Sequence, residues 1–274
     1  MEAIRSYDTA IPAVGIGTWT LRGEQCAQVV RDAIAMGYRH VDTAAAYGNE
    51  ERVGEGVRAS GVPRGELFIT TKVQPGDLAD GDFQRSVEAS LKRLRMDHVD
   101  LVLIHWPSPV LSVAETMEPL NDVRRRGLAL HIGVSNFTPR RLAEAWAHTE
   151  FPIIVNQCEY HPYLNQDDLI AVCEEKGTVL VAYCPLGRGR SFTEPAIVEI
   201  AARHGVTPAQ VVLRWENQQG AVVIPRSTKT ERLRSNLDIF GFRLDAAEMA
   251  AISALGRTRH ERICNSSLIA DWND

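Results

Sequence analysis

The chain has 274 residues, a length that suits one large α/β domain or two smaller ones. Hydrophobic residues make up 45% and charged residues 24%, which is an ordinary composition for a globular protein. The net charge is −5 with both signs spread along the chain, and this balance excludes nucleic-acid binding through a basic surface. No apolar run approaches membrane-spanning length and the first residues lack a signal-peptide core, so we expect no membrane contact.

The five cysteines are scattered and odd in number, and they form no Cys-x-x-Cys pair. Such a set is typical of reduced thiols and predicts a cytoplasmic protein. Cys158, His161 and Cys184 are the nearest approach to a ligand cluster, but their spacing matches no familiar zinc site. We therefore expect no metal.

Short β-branched runs alternate with longer helical patterns along the whole chain. Strands are predicted, in order, over residues 14–18, 38–42, 67–72, 99–105, 130–135, 153–157, 178–183 and 221–225. Helices are predicted over about 24–36, 48–60, 82–95, 112–126, 138–147, 165–176, 194–203, 207–218, 229–236 and 245–254. Thr138 and Thr207 each precede a proline, as an N-cap residue does, and Gly127, Gly177 and Gly205 follow helical runs where a C-terminal cap is wanted.

Eight strand–helix units predict a (β/α)8 TIM barrel, which usually needs ~250 residues. A doubly wound open sheet is the structural alternative, and it would require a Gly-x-Gly-x-x-Gly turn after an early strand. The stretch GIGTWT over residues 15–20 lacks the third glycine. No linker rich in proline, glycine or serine divides the chain, so a single domain over residues 1–274 is predicted.

Four proton-handling side chains fall at or near the C-terminal ends of successive predicted strands, where barrels carry their catalytic groups. Asp42, Lys72 and His105 end the second, third and fourth strands, and Tyr47 follows the second. A lysine ammonium beside a tyrosine lowers its pKa from about 10, and a carboxylate would hold the lysine charged. This set suits protonation of an oxygen on which negative charge develops, with Tyr47 as the acid. Taken singly, Asp42 and Lys72 could form a structural ion pair and His105 could be a core histidine.

Three passages resemble the signatures of the aldo-keto reductase family, from about residue 11 to the C-terminus. They are GYRHVDTA (37–44) followed by Glu50 and Val53-Gly54, GVSNF (133–137), and IPRS (224–227) followed by Arg232 and Asn236. The bacterial 2,5-diketo-D-gluconate and methylglyoxal reductase branch is the most similar. The resemblance implies a catalytic set of Asp42, Tyr47, Lys72 and His105, with Tyr47 as general acid. It also implies a nicotinamide cofactor held without a Rossmann fold.

The resemblance assigns the nicotinamide end of that cofactor to one group of residues. Ser135, Asn136 and Gln157 match positions that hydrogen-bond the carboxamide. Tyr183 matches the aromatic ring that stacks on the nicotinamide. The loop 184–190 would pass near the pyrophosphate.

A second group matches the positions that bind the 2′-phosphate and adenine, and it makes NADPH the expected cofactor. Arg226, Ser227 and Arg232 match the 2′-phosphate clamp, and Asn236 matches an adenine contact. Two guanidiniums beside a hydroxyl also suit a phosphate on chemical grounds. Arg226 stands where lysine is common in the family.

The resemblance implies aromatic walls for the substrate pocket, with Trp19 and Trp106 at matching positions. We expect small aldehydes and ketones, such as dicarbonyls and keto-sugars, as substrates and a monomer as the functional unit. Trp272 is expected to pack the C-terminal tail, with a place at the pocket as the other interpretation.

Two other functions compete with the reductase. A cofactor-binding regulatory subunit, like the reductase-like subunits of potassium channels, would not need an intact catalytic set. Such a subunit would also be expected to carry an added interaction segment, which this sequence lacks. A metal-dependent barrel hydrolase would need a His-x-His strand end, and none of the eight histidines forms one. The sequence therefore favours the reductase.

Overall fold

Eight parallel strands are hydrogen-bonded to one another in chain order, and the last of them returns to the first. In this computed structural model, which describes residues 2–266 and Trp272, Val14 bridges Val223 in parallel. The amide of Gly15 donates to the Val223 carbonyl at 2.8 Å, and that of Gly17 donates to the Pro225 carbonyl at 3.2 Å. These bonds close the sheet into a barrel. The predicted (β/α)8 fold is confirmed, and the doubly wound open sheet is excluded.

The barrel strands all lie where the sequence predicts them, although the first, second and last are shorter by two or three residues. Their bounds are Ile16–Gly17 (β3), His40–Asp42 (β4), Phe68–Val73 (β5), Val99–Ile104 (β6), Ala129–Ser135 (β7), Ile153–Glu159 (β8), Val179–Tyr183 (β9) and Val222–Val223 (β10). At the closure the two backbones approach closely, because a Cβ on Gly17 would lie 2.8 Å from the carbonyl oxygen of Ile224. Glycine is the residue that permits this approach.

The predicted helices are confirmed as well. Their bounds are Gly23–Ala35 (α1), Glu50–Ala59 (α2), Asp82–Leu94 (α3), Val113–Arg125 (α4), Pro139–Ala147 (α5), Asp167–Lys176 (α6), Pro195–His204 (α7), Pro208–Gln218 (α8), Thr230–Leu237 (α9) and Ala246–Arg259 (α10). The Thr138 and Thr207 side chains cap α5 and α8, and Gly177 and Gly205 end α6 and α7 in the left-handed conformation. Within residues 2–266, no helix is long and apolar enough to cross a membrane.

An N-terminal hairpin precedes the barrel and was not predicted. Its antiparallel strands are Ala3–Ser6 (β1) and Thr9–Pro12 (β2). The Ser6 hydroxyl donates to the Gly177 carbonyl at 2.7 Å, and this bond fastens the hairpin to the end of α6. Ile11 is fully buried in the barrel interior. Four-residue strands are too short for a periodic pattern, so the hairpin leaves no clear signal in the sequence.

The barrel strands bury both faces, and successive side chains separate into two apolar cores. Phe68, Leu101 and Leu103 belong to the core inside the barrel. Their chain neighbours Ile69 and Val102 belong to the core between the barrel and the helices. Burial on both faces fixes the register of each strand relative to its neighbours. The register in turn fixes where each strand ends at the barrel mouth.

Glu216 is a fully buried carboxyl on α8, away from the barrel mouth. Neither of its oxygens has a hydrogen-bond partner among the described residues, and burial raises its pKa well above the usual value. It is therefore protonated when folded but ionised when unfolded near neutral pH. Because a raised folded pKa lets the native state bind the extra proton, stability falls as pH rises above the unfolded value of about 4.3.

We expect Glu216→Gln to remove that pH dependence. The free energy of unfolding of the variant, relative to the wild type, should rise between mildly acidic and neutral pH, because only the wild type must retain a proton. Urea unfolding of both proteins at a series of pH values measures this difference. A difference that stays constant with pH would show that Glu216 is not a buried neutral acid.

Candidate active site

The four predicted catalytic side chains meet at the C-terminal mouth of the barrel. Asp42 is the last residue of β4, Lys72 is the last but one of β5, and His105 directly follows β6. Tyr47 lies in a single 3-10 turn, Ala45–Tyr47, after β4. Neighbouring parallel strands place their ends side by side, and the structure brings the four together as the spacing predicts.

Lys72 is fully buried, and its ammonium group uses all three of its protons. It donates to Asp42 Oδ1 at 2.6 Å, to the Thr43 carbonyl at 2.9 Å and to the Tyr47 hydroxyl at 3.3 Å. Burial would lower the pKa of Lys72, but the charge of Asp42 and these bonds raise it above the usual value. The lysine is therefore a fixed cation behind Tyr47.

Tyr47 accepts a hydrogen bond from Lys72, because an ammonium group can only donate. The proton of the Tyr47 hydroxyl is thus left for another acceptor. Burial raises the pKa of Tyr47 above 10, and the charge of Lys72 offsets only part of that rise. The sequence predicted a lowered pKa from the lysine alone. That prediction was wrong in its net direction, because it omitted the larger effect of burial.

His105 packs edge-on against the Tyr47 ring, with ring centroids 5.6 Å apart. Burial, together with the nearby charge of Lys72, lowers the pKa of His105 to about 3. The imidazole is therefore neutral and carries a single N–H. Its Nδ1 atom is buried without a hydrogen-bond partner among the described residues. The remaining polar atom, Nε2, is the one available to a bound molecule.

A cavity of about 590 Å³ opens beside these residues. Of the predicted site residues, those that line it are Trp19, Asp42, Tyr47, His105, Trp106, Ser135, Asn136, Gln157, Tyr183 and Arg226. Lys72 lies behind this wall and reaches it through Asp42 and Tyr47.

Ser135, Asn136 and Tyr183 form one hydrogen-bonded group at the ends of β7 and β9. The Tyr183 hydroxyl donates to Asn136 Oδ1 at 2.8 Å, and Asn136 Nδ2 donates to the His105 carbonyl at 3.0 Å and to Ser135 Oγ at 3.1 Å. Asn136 has φ of 63°, the left-handed conformation that asparagine tolerates better than most residues. These bonds hold the Tyr183 ring in the cavity wall.

Gln157 lies beside this group on β8 but faces Asp42. Its Nε2 donates to Asp42 Oδ2 at 2.7 Å, and the Ser135 hydroxyl donates to its backbone carbonyl at 2.7 Å. The sequence assigned this side chain only to a cofactor carboxamide. Its contact with the Asp42 carboxylate, 115 residues away along the chain, has no signal in the sequence.

The four residues predicted to bind a 2′-phosphate and adenine lie after β10. Arg226 is exposed and lines the cavity, whereas Ser227, Arg232 and Asn236 lie outside it, the last two on α9. The Ser227 hydroxyl accepts a hydrogen bond from the backbone amide of Lys229 at 3.0 Å. No carboxylate of the described residues forms an ion pair with Arg226 or Arg232. Two exposed cations without a carboxylate partner among the described residues, one of them on the cavity wall, suit a phosphate.

The C-terminal segment supplies a wall that the sequence did not predict. Cys264 lines the cavity, and its amide donates to the buried carboxylate of Glu159 at 2.8 Å. Trp272 packs edge-on against Trp106, a residue of the cavity wall, with ring centroids 6.0 Å apart. The Arg262 guanidinium stacks 3.6 Å from the centre of the Trp272 ring. Nothing local in the sequence marks Glu159 as the residue that fastens this segment.

No group of three or more His, Cys, Asp or Glu residues in the described part of the chain could hold a metal ion. A buried ion pair, a tyrosine with a free proton and a neutral histidine, set in a barrel mouth beside a large cavity, define a barrel enzyme of the proton-transferring kind.

The chain belongs to the aldo/keto reductase family, whose model matches residues 13–257. The resemblance found in the three signature passages is thereby confirmed. Family membership makes the protein an oxidoreductase that uses a nicotinamide cofactor.

Several relatives cover nearly the whole chain. An aldo-keto reductase of Mycolicibacterium vanbaalenii is 46% identical over 253 residues, which are 92% of this chain and 91% of the relative. The methylglyoxal reductase DkgB of Escherichia coli O157:H7 is 42% identical over 264 residues, 95% of this chain and 96% of the relative.

Solved structures agree with the barrel. A crystal structure provisionally assigned as a 2,5-diketo-D-gluconic acid reductase B superimposes with a TM-score of 0.96 at 41% identity, covering 99% of this chain and 97% of the other. A Bombyx mori aldo-keto reductase in complex with NADP has a TM-score of 0.89 at 32% identity, covering 97% and 95%.

Proposed function

We propose that this protein is an NADPH-dependent reductase of small aldehydes and ketones, in which Tyr47 donates a proton to the carbonyl oxygen. The observation that carries the proposal is the chain of contacts from Asp42 through Lys72 to the Tyr47 hydroxyl, whose own proton is left for the cavity. The names of two similar proteins, a methylglyoxal reductase and a 2,5-diketo-D-gluconic acid reductase, support this substrate class.

Each member of the catalytic set has a separate role. Tyr47 keeps its proton because burial raises its pKa, and it gives that proton up as negative charge develops on the substrate oxygen. Lys72 stabilises the resulting phenolate with a charge-assisted hydrogen bond. Asp42 holds the lysine in place, and neutral His105 donates its N–H to the same oxygen. Burial of Lys72 and Asp42 away from water strengthens their interactions.

The residues of the cavity wall fit a nicotinamide cofactor. Gln157 presents its carbonyl oxygen to the cavity, and Tyr183 presents a ring that its bond to Asn136 keeps in place. These residues and Ser135 would hold the nicotinamide and its carboxamide. When bound, the cofactor supplies the hydride that adds to the carbonyl carbon.

The phosphate end of the cofactor is assigned to the loops after β9 and β10. These are the seventh and eighth strands of the barrel, the usual place for phosphate sites in this fold. Arg226, Ser227 and Arg232 would bind the 2′-phosphate, and Asn236 would contact the adenine. This assignment makes NADPH the preferred cofactor.

Trp19 and Trp106 would bound the substrate. Trp19 is 55% exposed at the cavity edge, so the pocket is open enough to admit small carbonyl compounds, with dicarbonyls and keto-sugars as the proposed range. We also propose one barrel domain over residues 1–274, acting as a monomer in the cytoplasm. Five cysteines without a disulfide among the described residues support a reducing compartment.

A panel of carbonyl compounds tests the proposed reaction. We expect the purified protein to oxidise NADPH only when a carbonyl is added, with methylglyoxal and other small aldehydes among the substrates. Absorbance of the reduced nicotinamide measures the rate, and chromatography identifies the alcohol. Absence of carbonyl-dependent NADPH oxidation across the panel would contradict the proposal, and static light scattering would test the monomer.

A further inference from the structure

We infer that Gln157 is a positioning residue for the proton donor, because its amide group holds the free oxygen of Asp42 and thereby sets how readily Tyr47 releases its proton. The inference rests on the proposed role of Tyr47 as the acid. It gives Gln157 a second task beside the one proposed for it at the carboxamide.

The contact between Gln157 and Asp42 crosses the barrel. Asp42 ends β4 and Gln157 lies on β8, the second and the sixth of eight strands, so the two side chains come from opposite sides of the mouth. In a (β/α)8 barrel, alternate strands contribute side chains to the same interior layer. Both side chains come from even-numbered strands of the barrel and therefore lie in the same interior layer, where the 2.7 Å bond forms.

The orientation of the Gln157 amide follows from its partner. A carboxylate can only accept, so the NH₂ group must face Asp42. The carbonyl oxygen of the amide then faces the cavity that Gln157 lines. One side chain thus touches the catalytic network with one atom and offers an acceptor to a ligand with the other.

As a result, each carboxylate oxygen of Asp42 accepts one short hydrogen bond. Lys72 holds Oδ1 at 2.6 Å and Gln157 holds Oδ2 at 2.7 Å. Both Asp42 and Gln157 are buried, so water does not replace a lost donor easily. Without Gln157, Oδ2 would be a buried acceptor with no partner, and the carboxylate would be free to rotate away from Lys72.

The electrostatic consequence reaches Tyr47. The titratable groups that face it are Asp42 on β4, Lys72 on β5, His105 after β6 and Cys264 in the C-terminal segment. Burial raises the Tyr47 pKa, Lys72 lowers it and Asp42 raises it. A hydrogen-bond donor on Asp42 partly offsets the negative charge of the carboxylate. Removal of that donor should raise the Tyr47 pKa further and slow proton transfer.

The test compares Gln157→Met, which keeps the length of the side chain but has no donor, with Ser135→Ala. Ser135 contacts the Gln157 backbone and is assigned to the same carboxamide, but it does not touch Asp42. Fluorotyrosine-labelled proteins without cofactor or substrate are titrated by ¹⁹F NMR, with the Tyr47 signal assigned through Tyr47→Phe. Gln157→Glu, which places a second carboxylate beside Asp42, is the additional variant.

We expect the Tyr47 midpoint to rise by about one pH unit in Gln157→Met, because the Asp42 charge, no longer shared with a donor, repels the phenolate more strongly, and by more in Gln157→Glu. Ser135→Ala should leave the midpoint unchanged. At saturating NADPH, kcat should fall about tenfold in Gln157→Met with its alkaline limit displaced upward, whereas Ser135→Ala should leave the pH of that alkaline limit where it is in the wild type.

An unchanged Tyr47 midpoint in Gln157→Met would overturn the inference, as would an equal rise in Ser135→Ala. Thermal melts followed by circular dichroism confirm that each variant is folded before titration. Because the titration needs neither turnover nor cofactor, it distinguishes failure of this inference from failure of the proposed reductase activity.

Discussion

Tyr47→Phe should lower kcat for carbonyl reduction by ~10²–10⁴-fold, the usual contribution of a positioned general acid. The substitution removes one oxygen, and this oxygen carries the hydroxyl proton and joins it to the Lys72 ammonium beside the cavity. A substrate alkoxide would then develop its charge without a proton from the protein. Steady-state NADPH oxidation with a good carbonyl substrate measures the loss.

The control for this experiment is Tyr7→Phe. Tyr7 is an exposed tyrosine of the N-terminal hairpin whose hydroxyl donates to the Lys176 carbonyl, far from the barrel mouth. NADPH binding, followed by quenching of tryptophan fluorescence, should be close to wild type in both variants. Wild-type turnover in Tyr47→Phe would remove Tyr47 from the role of acid.

The fold was predictable because the repeating signal is strong and redundant. Each of the eight strands carries a β-branched run, and caps such as Thr207 and Gly205 mark the helix ends that separate them. The hairpin over β1 and β2 was not predictable, because its stability comes from long-range bonds such as that of Ser6 to Gly177. Contacts of this kind exist only after the barrel has formed.

The meeting of the four proposed catalytic side chains was predictable for a geometric reason. Parallel strands in a barrel end at the same mouth, so residues that close successive strands must be neighbours, and Asp42, Lys72 and His105 do so. The bond between Gln157 and Asp42 follows a different rule, since it joins opposite strands. To predict this bond, one would have to know which side chains share an interior layer of the barrel. That arrangement depends on the shear of the barrel and on side-chain size.

The net direction of the Tyr47 pKa shift could not be predicted from residues that are close to it in the sequence. The spacing predicts a lysine nearby, and the lysine does lower the pKa. The extent of burial decides the net direction, and it depends on residues from distant parts of the chain, including Cys264 and Trp106 around the same cavity. Burial is a property of the assembled mouth.

Arg226→Ala combined with Arg232→Ala should raise the KM for NADPH at least about 10²-fold, since each lost charge-assisted hydrogen bond is worth about 1.5–3 kcal/mol. The KM for NADH, which lacks the 2′-phosphate, should change little. Both arginines are exposed and neither is paired with a carboxylate of the described residues, so the double variant leaves no buried charge behind. Initial rates with each cofactor measure the two constants.

Arg234→Ala is the matched control, because Arg234 is exposed on the same helix, α9, but has no proposed contact with the cofactor. Ionic strength gives a second measurement on the wild type. Exposed charges are screened beyond about 8 Å at physiological salt, so NADPH affinity should weaken with salt more steeply than NADH affinity. Equal losses for both cofactors in the double variant, or equal salt slopes, would contradict a 2′-phosphate site at these arginines. Either result would leave the Tyr47 assignment untouched, because the hydrogen bonds of Tyr47 and Lys72 do not involve Arg226 or Arg232.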